Sequence, residues 1–264
     1  MTDIALQVRT MADYMASGET PEVLFWVGCA GSFDDRARKI TKAFVRILNA
    51  AKVKFAVLGT EESCTGDPAR RAGNEFLFQM QAQTNIAVLN GYEVKRIVTA
   101  CPHCFNTLKN EYPALGGSYE VMHHTQFINS LLKEGRIKVE GGSFAGKRIT
   151  FHDPCYLGRG NGEYEAPREV LLKLDAALVE MKRSKKNGLC CGAGGAQMFK
   201  EAEPGTKEVN IERTEDALAE SPNVIAAGCP FCNTMLTDGV KHFNKEGEVV
   251  VKDVAELIAE AGDL

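Results

Sequence analysis

A chain of 264 residues, 44% hydrophobic and 25% charged, has ordinary globular composition and enough apolar material for one large or two medium domains. Its formal net charge of -4 lacks the basic surplus of a nucleic-acid-binding protein, and no apolar run approaches the roughly 20 residues that span a bilayer. Nine cysteines, an odd number, behind an N-terminus with no signal-peptide pattern point to a reducing, cytoplasmic setting and to metal or redox chemistry in place of disulfides.

Ile4, Val8, Met11 and Met15 recur at helical spacing and predict an amphipathic helix over 1–17, within an N-terminal segment 1–20 that packs on its own domain or docks on a partner. Residues 23–27 read as a buried strand ending at Gly28 and Cys29, followed by a helix over 34–51 and a strand over 55–58 that leads to Cys64. Gly66-Asp67-Pro68 reads as a cap and first-turn proline opening one long helix over 68–89. A strand over 97–100 runs into Cys101-Pro102-His103-Cys104, which opens a helix; a strand over 119–122 and a helix over 124–133 close the first half, 21–142. Glycines at 141, 142 and 146 mark a linker, and the plan restarts in a second half, 147–264. There a strand over 148–152 leads to Asp153-Pro154-Cys155, with a helix over 167–174, a strand over 177–181 and a basic run from Lys182 to Lys186 before Cys190-Cys191-Gly192. Helices over 197–203 and 206–220 precede a strand over 224–227, which runs into Cys229-Pro230-Phe231-Cys232 at the start of another helix.

The landmarks repeat in register. Cys29 and Cys155 lie 126 positions apart, as do Cys64 and Cys190; Cys101 and Cys229, and Cys104 and Cys232, lie 128 apart. The expected fold is therefore α/β with an internal duplication, two pseudo-symmetric halves that each hold a small, mostly parallel sheet flanked by helices. The cysteines fall at or just beyond strand carboxyl ends, where open α/β sheets place their ligands. Thiolate-only sites select zinc, copper(I) or iron–sulfur clusters. A thioredoxin-like dithiol at Cys101/Cys104 or Cys229/Cys232 would leave the other five cysteines without a role.

Cys155, 34 intervening residues, Cys190-Cys191-Gly192, 36 further residues and Cys229-Pro230-Phe231-Cys232 together resemble the CCG cysteine-rich domain of the heterodisulfide reductase B-subunit family. That family includes iron–sulfur subunits of glycerol-3-phosphate, glycolate and lactate oxidation systems and electron-transfer-flavoprotein-linked quinone reductases; residues 63–75 look most like the last branch. The resemblance implies a noncubane 4Fe–4S cluster held by Cys155, Cys190, Cys191, Cys229 and Cys232. In the first half Thr65 stands where the fifth cysteine would be, which leaves Cys29, Cys64, Cys101 and Cys104 for a 4Fe–4S cluster or zinc. The implied function is an iron–sulfur oxidoreductase subunit whose chemistry centres on the cluster at Cys190 and Cys191, in redox catalysis or as an electron conduit. With no dinucleotide fingerprint, ferredoxin run or haem motif in the chain, electrons must come from another protein. The implied partners are a flavoprotein or ferredoxin-type subunit and a membrane or quinone-linked subunit, with the chain cytoplasmic or peripheral at the inner membrane. A zinc-stabilised scaffold is the competing reading, and Cys191 counts against it because tetrahedral zinc has no use for a fifth thiolate.

Near these sites His103 could tune a potential, move a proton or face solvent, and His152 could support its cysteine loop or be an ordinary strand residue. His123 and His124 read as surface residues. Arg70 and Arg71 read as a solvated helix face, with an anionic group or partner carboxylate as the sharper alternative, and Lys182 to Lys186 as a solvated loop or docking surface.

Overall fold

The computed structural model of the chain describes residues 6–139, 142–201 and 204–264. Short apolar runs buried on both faces, such as Val23 to Trp26, form parallel sheets. The first sheet contains β1 (Arg9–Thr10), β2 (Val23–Trp26), β3 (Phe55–Val57), β4 (Arg96–Thr99) and β5 (Glu120–His123) in the order β1-β3-β2-β4-β5. The second contains β6 (Arg148–His152), β7 (Ala177–Val179), β8 (Val224–Ala227) and β9 (Val250–Asp253) in the order β7-β6-β8-β9. All pairings are parallel, and without β1 the two orders are the same.

Several elements differ from the sequence expectation. Residues 1–5 lie outside the described residues; Arg9 and Thr10 extend the first sheet beside Ala56 and Val57, so the helix α1 (Met11–Ser17) starts only at Met11. Thr10 stops it there with a capping box to Asp13. The long helix over 68–89 is two helices, α4 (Asp67–Arg71) and α5 (Glu75–Gly91). Gly73 takes φ +86° between them, and Asn74 accepts the Leu77 N–H at 3.0 Å to start the second. Gly66 is the cap of α4, which frees the Asp67 carboxylate for other partners. The helix expected over 197–203 is a single 3₁₀ turn, Gln197–Phe199, with 202 and 203 outside the described residues. Beyond the predicted elements stand β9 and α11 (Val254–Ala261), the counterparts of β5 and α7 (His124–Lys133). His123 and Asp253 end the equivalent strands, and each closes a capping box on the helix that follows.

The halves share a core. One buried cluster joins Phe25, Phe44 and Phe127 of the first half to Phe151, Val170 and Leu257 of the second. Each of these large side chains stabilises the joined fold by about 1.5–3 kcal/mol through burial. Arg36 of α3 (Asp35–Ala50) also reaches across, donating to both Glu256 carboxylate oxygens at 2.9 and 2.6 Å. Two further clusters include the cysteines: one holds Trp26 with Cys101 and Cys104 and takes in Leu157 of the second half, the other Met181 with Cys191, Cys229 and Cys232.

Candidate metal centre

In the first half, Cys29 sits in the opening turn of α2 (Gly28–Phe33), directly beyond β2. The Glu62 carboxylate fixes this turn by accepting the Val27 and Gly28 N–H groups at 3.0 and 2.6 Å; burial nevertheless pushes Glu62 up to about 7. The Cys64 loop turns at Gly66, where φ is +90° and a Cβ would stand 2.8 Å from the Phe78 ring. That conformation turns the Gly66 N–H toward Cys64 Sγ at 3.4 Å. Cys101 caps α6 (Pro102–Asn106) beyond β4, and Cys104 follows one turn later. All four cysteines line one small cavity together with Thr65, Asp67 and His103. A hydrogen bond from the Cys29 thiol, with burial opposing and Gly66 assisting, brings Cys64 down to about 6.

The second half repeats this geometry with one more thiol. Gly192 takes φ +92° and donates its N–H to Cys190 Sγ at 3.3 Å. Cys155 follows β6, Cys229 caps α10 (Pro230–His242), and Cys232 lies one turn inside it. Thiol-to-thiol contacts form an unbroken chain from Cys155 to Cys190, Cys191, Cys232 and Cys229. Burial opposes ionisation of Cys229, but Cys232 and His103 outweigh it and bring the thiol down to about 5. The divergence between halves is local. Where Cys191 links Cys190 to Cys232, buried Thr65 carries its hydroxyl 3.9 Å from Cys104 Sγ. All nine cysteines are free.

Buried ion pairs brace the loops. Asp153, two residues before Cys155, accepts two hydrogen bonds from Arg168 at 2.8 and 3.0 Å and one from the Lys185 N–H at 2.7 Å. Arg159 ties down the carbonyl of Gly188. The basic run from Lys182 to Lys186 is partly neutralised within the chain: Arg183 pairs with Asp216 and Glu212, and Lys185 with Glu165. Arg70 and Arg71 do not form a solvated face. Both are half-buried and pair with Glu111, and Arg71 also holds Asp67.

The two sets of thiols meet at His103. Its Nδ1 lies 2.9 Å from Asp67 Oδ2, its ring packs edge-on against Tyr156 and Phe231, and the side chain reaches Cys229 of the other half. Burial opposes the charged ring, but Asp67 and Cys229 hold it well above its ordinary value. His103 and Phe231 occupy equivalent positions of the repeat, so each half presents the residue between its paired cysteines to the other. His123 and His124 are fully buried, contrary to the surface reading. They lie where β5 passes into α7 at the join of the halves: His123 bonds Thr125 at 2.7 Å, His124 bonds Asp253 at 2.8 Å, and the two rings touch at 3.2 Å. Burial, then the neighbouring His124, pushes His123 well below its ordinary value. Strand alternation carries the missed signal, because it places His123 on the same face as buried Val121. The supporting residues Glu62, Asp67, Arg168, Arg213 and Asp253 carry no such local pattern.

An open cleft of about 400 Å³ lies beside Cys29, lined also by Phe33, Met198, Phe199, Pro230 and Phe231. It offers an apolar approach to the first-half thiols.

The fold and site define a duplicated α/β protein with a set of buried and half-buried cysteines gathered at the strand ends of each half. The chain belongs to the CCG, or cysteine-rich domain, family, whose model matches residues 23–109 and 149–237. It is 47% identical over 97% of its length to "Probable iron-sulfur-binding oxidoreductase FadF" of Bacillus subtilis, and 44% identical over 96% to "EtfAB:quinone oxidoreductase" of Syntrophomonas wolfei, covering 36% of each. It is also 36% identical over 91% of its length to one of the subunits of the dihydromethanophenazine:CoB--CoM heterodisulfide reductase of Methanosarcina barkeri, of which it covers 59%. The chain thus spans between about a third and three fifths of these relatives. Among solved structures, a glutamate racemase of Bacillus anthracis aligns over 90% of this chain and 77% of its own at 16% identity and a TM-score of 0.37. Among the described residues, no helix is long and apolar enough to cross a membrane.

Proposed function

We propose that this chain is the duplicated cysteine-rich module of an iron–sulfur oxidoreductase, with 21–142 and 147–264 as its repeat units. Cys155, Cys190, Cys191, Cys229 and Cys232 would hold a noncubane 4Fe–4S cluster, and Cys29, Cys64, Cys101 and Cys104 a second 4Fe–4S cluster or zinc. The observation that carries this reading is the unbroken chain of five thiols in the second half. Five thiolates exceed a tetrahedral zinc site, whereas iron–sulfur chemistry is served by cysteine sulfur. The surroundings fit such a group: a glycine turn donates an N–H to Cys190, Cys191, Cys229 and Cys232 are shielded from water, and the buried His152 Nε2 has no protein partner among the described residues.

When bound, a cluster supplies one-electron redox chemistry. The residues present hold its ligands in place through Asp153 and Arg168, keep water from Cys191, Cys229 and Cys232, and join the two sets through Asp67 and His103. Electrons would arrive from a flavoprotein or ferredoxin-type subunit and leave toward a membrane or quinone-linked one, in keeping with the names of the relatives. The cleft beside Cys29 favours a second version, in which a small redox substrate such as a disulfide approaches the first-half thiols directly. Anaerobic purification from iron-replete cells tests the reading through iron, zinc and acid-labile sulfide per chain and through electron paramagnetic resonance of Cys191→Ser and Cys64→Ser. Brown protein with a Cys191-dependent signal is expected; protein free of iron and sulfide would overturn the proposal. Oxidation of the reduced protein by a disulfide alone would select the substrate version.

A further inference from the structure

Position 152 ends β6 three residues before Cys155, and position 26 ends β2 three residues before Cys29. The first is histidine and the second tryptophan, with little in common except a ring N–H. His152 Nε2 and Trp26 Nε1 are both buried and have no hydrogen-bond partner among the described residues. A buried donor without an acceptor costs about 1–3 kcal/mol, so its recurrence at one position of both repeats calls for an acceptor outside the polypeptide.

The second half shows how the donor is fixed. Arg213, fully buried, donates its Nε–H to His152 Nδ1 at 2.9 Å. A guanidinium only donates, so Nδ1 must carry the lone pair and the single ring proton must sit on Nε2. Arg213 is itself held by the Arg183 carbonyl at 2.7 Å. A His152 ring nitrogen, Cys191 Sγ and Cys232 Sγ lie within 4.8 Å of one another, a grouping that by distance alone could be three metal ligands. The tautomer argues otherwise, since a protonated Nε2 has no lone pair for a metal. Tryptophan supports the same conclusion: an indole nitrogen does not ligate metals but does donate, and Trp26 lies in the buried cluster that holds Cys101 and Cys104.

We infer that His152, locked by Arg213, is a positioning residue that donates its Nε2–H to sulfur of the second-half cluster, and that Trp26 donates equivalently in the first half. The inference rests on the iron–sulfur reading above. An N–H aimed at cluster sulfur stabilises the more negative, reduced state and so raises the reduction potential.

The test uses the anaerobically purified full chain. His152→Leu should keep wild-type iron and sulfide yet show a lower midpoint potential in a redox titration followed by electron paramagnetic resonance. His152→Gln, which retains an N–H, should recover part of that shift. Should His152→Leu fail to fold, wild-type protein carrying ¹⁵N-histidine provides an independent measurement. Pulsed resonance should then detect a weakly coupled nitrogen that disappears in His152→Gln. A strongly coupled nitrogen would make His152 a ligand and overturn the inference, as would an unchanged potential in an intact cluster. Wild-type protein without iron and sulfide would instead overturn the underlying reading, so the two failures are distinguishable.

Discussion

Arg168→Met leaves a charge stranded. Arg168 is 5% exposed and Asp153 3%, and two hydrogen bonds at 2.8 and 3.0 Å join them directly before Cys155. Methionine fills much of the arginine stem's volume but leaves the Asp153 carboxylate, among the described residues, with only the Lys185 N–H. Breaking a buried pair from one side costs about 3–5 kcal/mol. The other partner, Glu180, is 40% exposed at its side chain and regains water, so it adds little. At roughly 2–4 °C per kcal/mol for a chain of this size class, the melting temperature should fall by about 6–20 °C. Differential scanning calorimetry and urea titration measure the loss. Asp153→Asn in the same chain removes the stranded charge and should recover most of it, since the cost lies in the uncompensated ion. A single variant within about 1 kcal/mol of wild type, or a double variant no more stable than the single, would refute the reasoning.

Gly192→Ala forces a side chain onto φ +92° and should destabilise the fold by about 1–2 kcal/mol in urea titration. Gly247→Ala has open space around its Cβ and no positive φ, and should be close to neutral in the same assay. Thr65→Cys supplies the missing thiol beside Cys64, so the first-half metal signal should change while the second-half signal stays; elemental analysis and electron paramagnetic resonance report both. His123, held neutral by burial, contributes stability that is complete above its ordinary value of 6.5 and is lost as pH falls below it. Its share of the slope is at most about 1.4 kcal/mol per pH unit, and melting temperatures between pH 5 and 7 should depend less steeply on pH in His123→Gln. An identical slope in the variant would remove His123 from that account.

The duplication is legible because cysteine and glycine landmarks recur at nearly constant spacing, and strands 148–152 and 224–227 because an apolar run ends at a landmark. The break between α4 and α5 is a closer balance. A glycine inside a helix costs only about 1 kcal/mol, so Gly73 alone does not decide it; the Asn74 cap does. At β9, Lys252 and Asp253 interrupt a valine run that no cysteine marks, and pairing with β8 makes the strand. The cysteine sets are readable as residues, but their supports are not. Arg168 on Asp153, Arg213 on His152 and Asp67 on His103 are joined by packing between distant elements, and no local spacing encodes them.

The contact between His124 and Asp253 bears on how a doubled chain departs from its own symmetry. A symmetric dimer of single units makes every contact of its interface twice, with each residue facing its counterpart's partner in both directions. Here the reciprocal positions are Val254 and His123, which cannot form the same polar bond, so the hydrogen bond occurs once. A dimer of identical units could not keep such chemistry to one side, and a fused chain can. The same freedom extends to Thr65 opposite Cys191 and to Trp26 opposite His152: two copies of one scaffold that no longer have to do the same work.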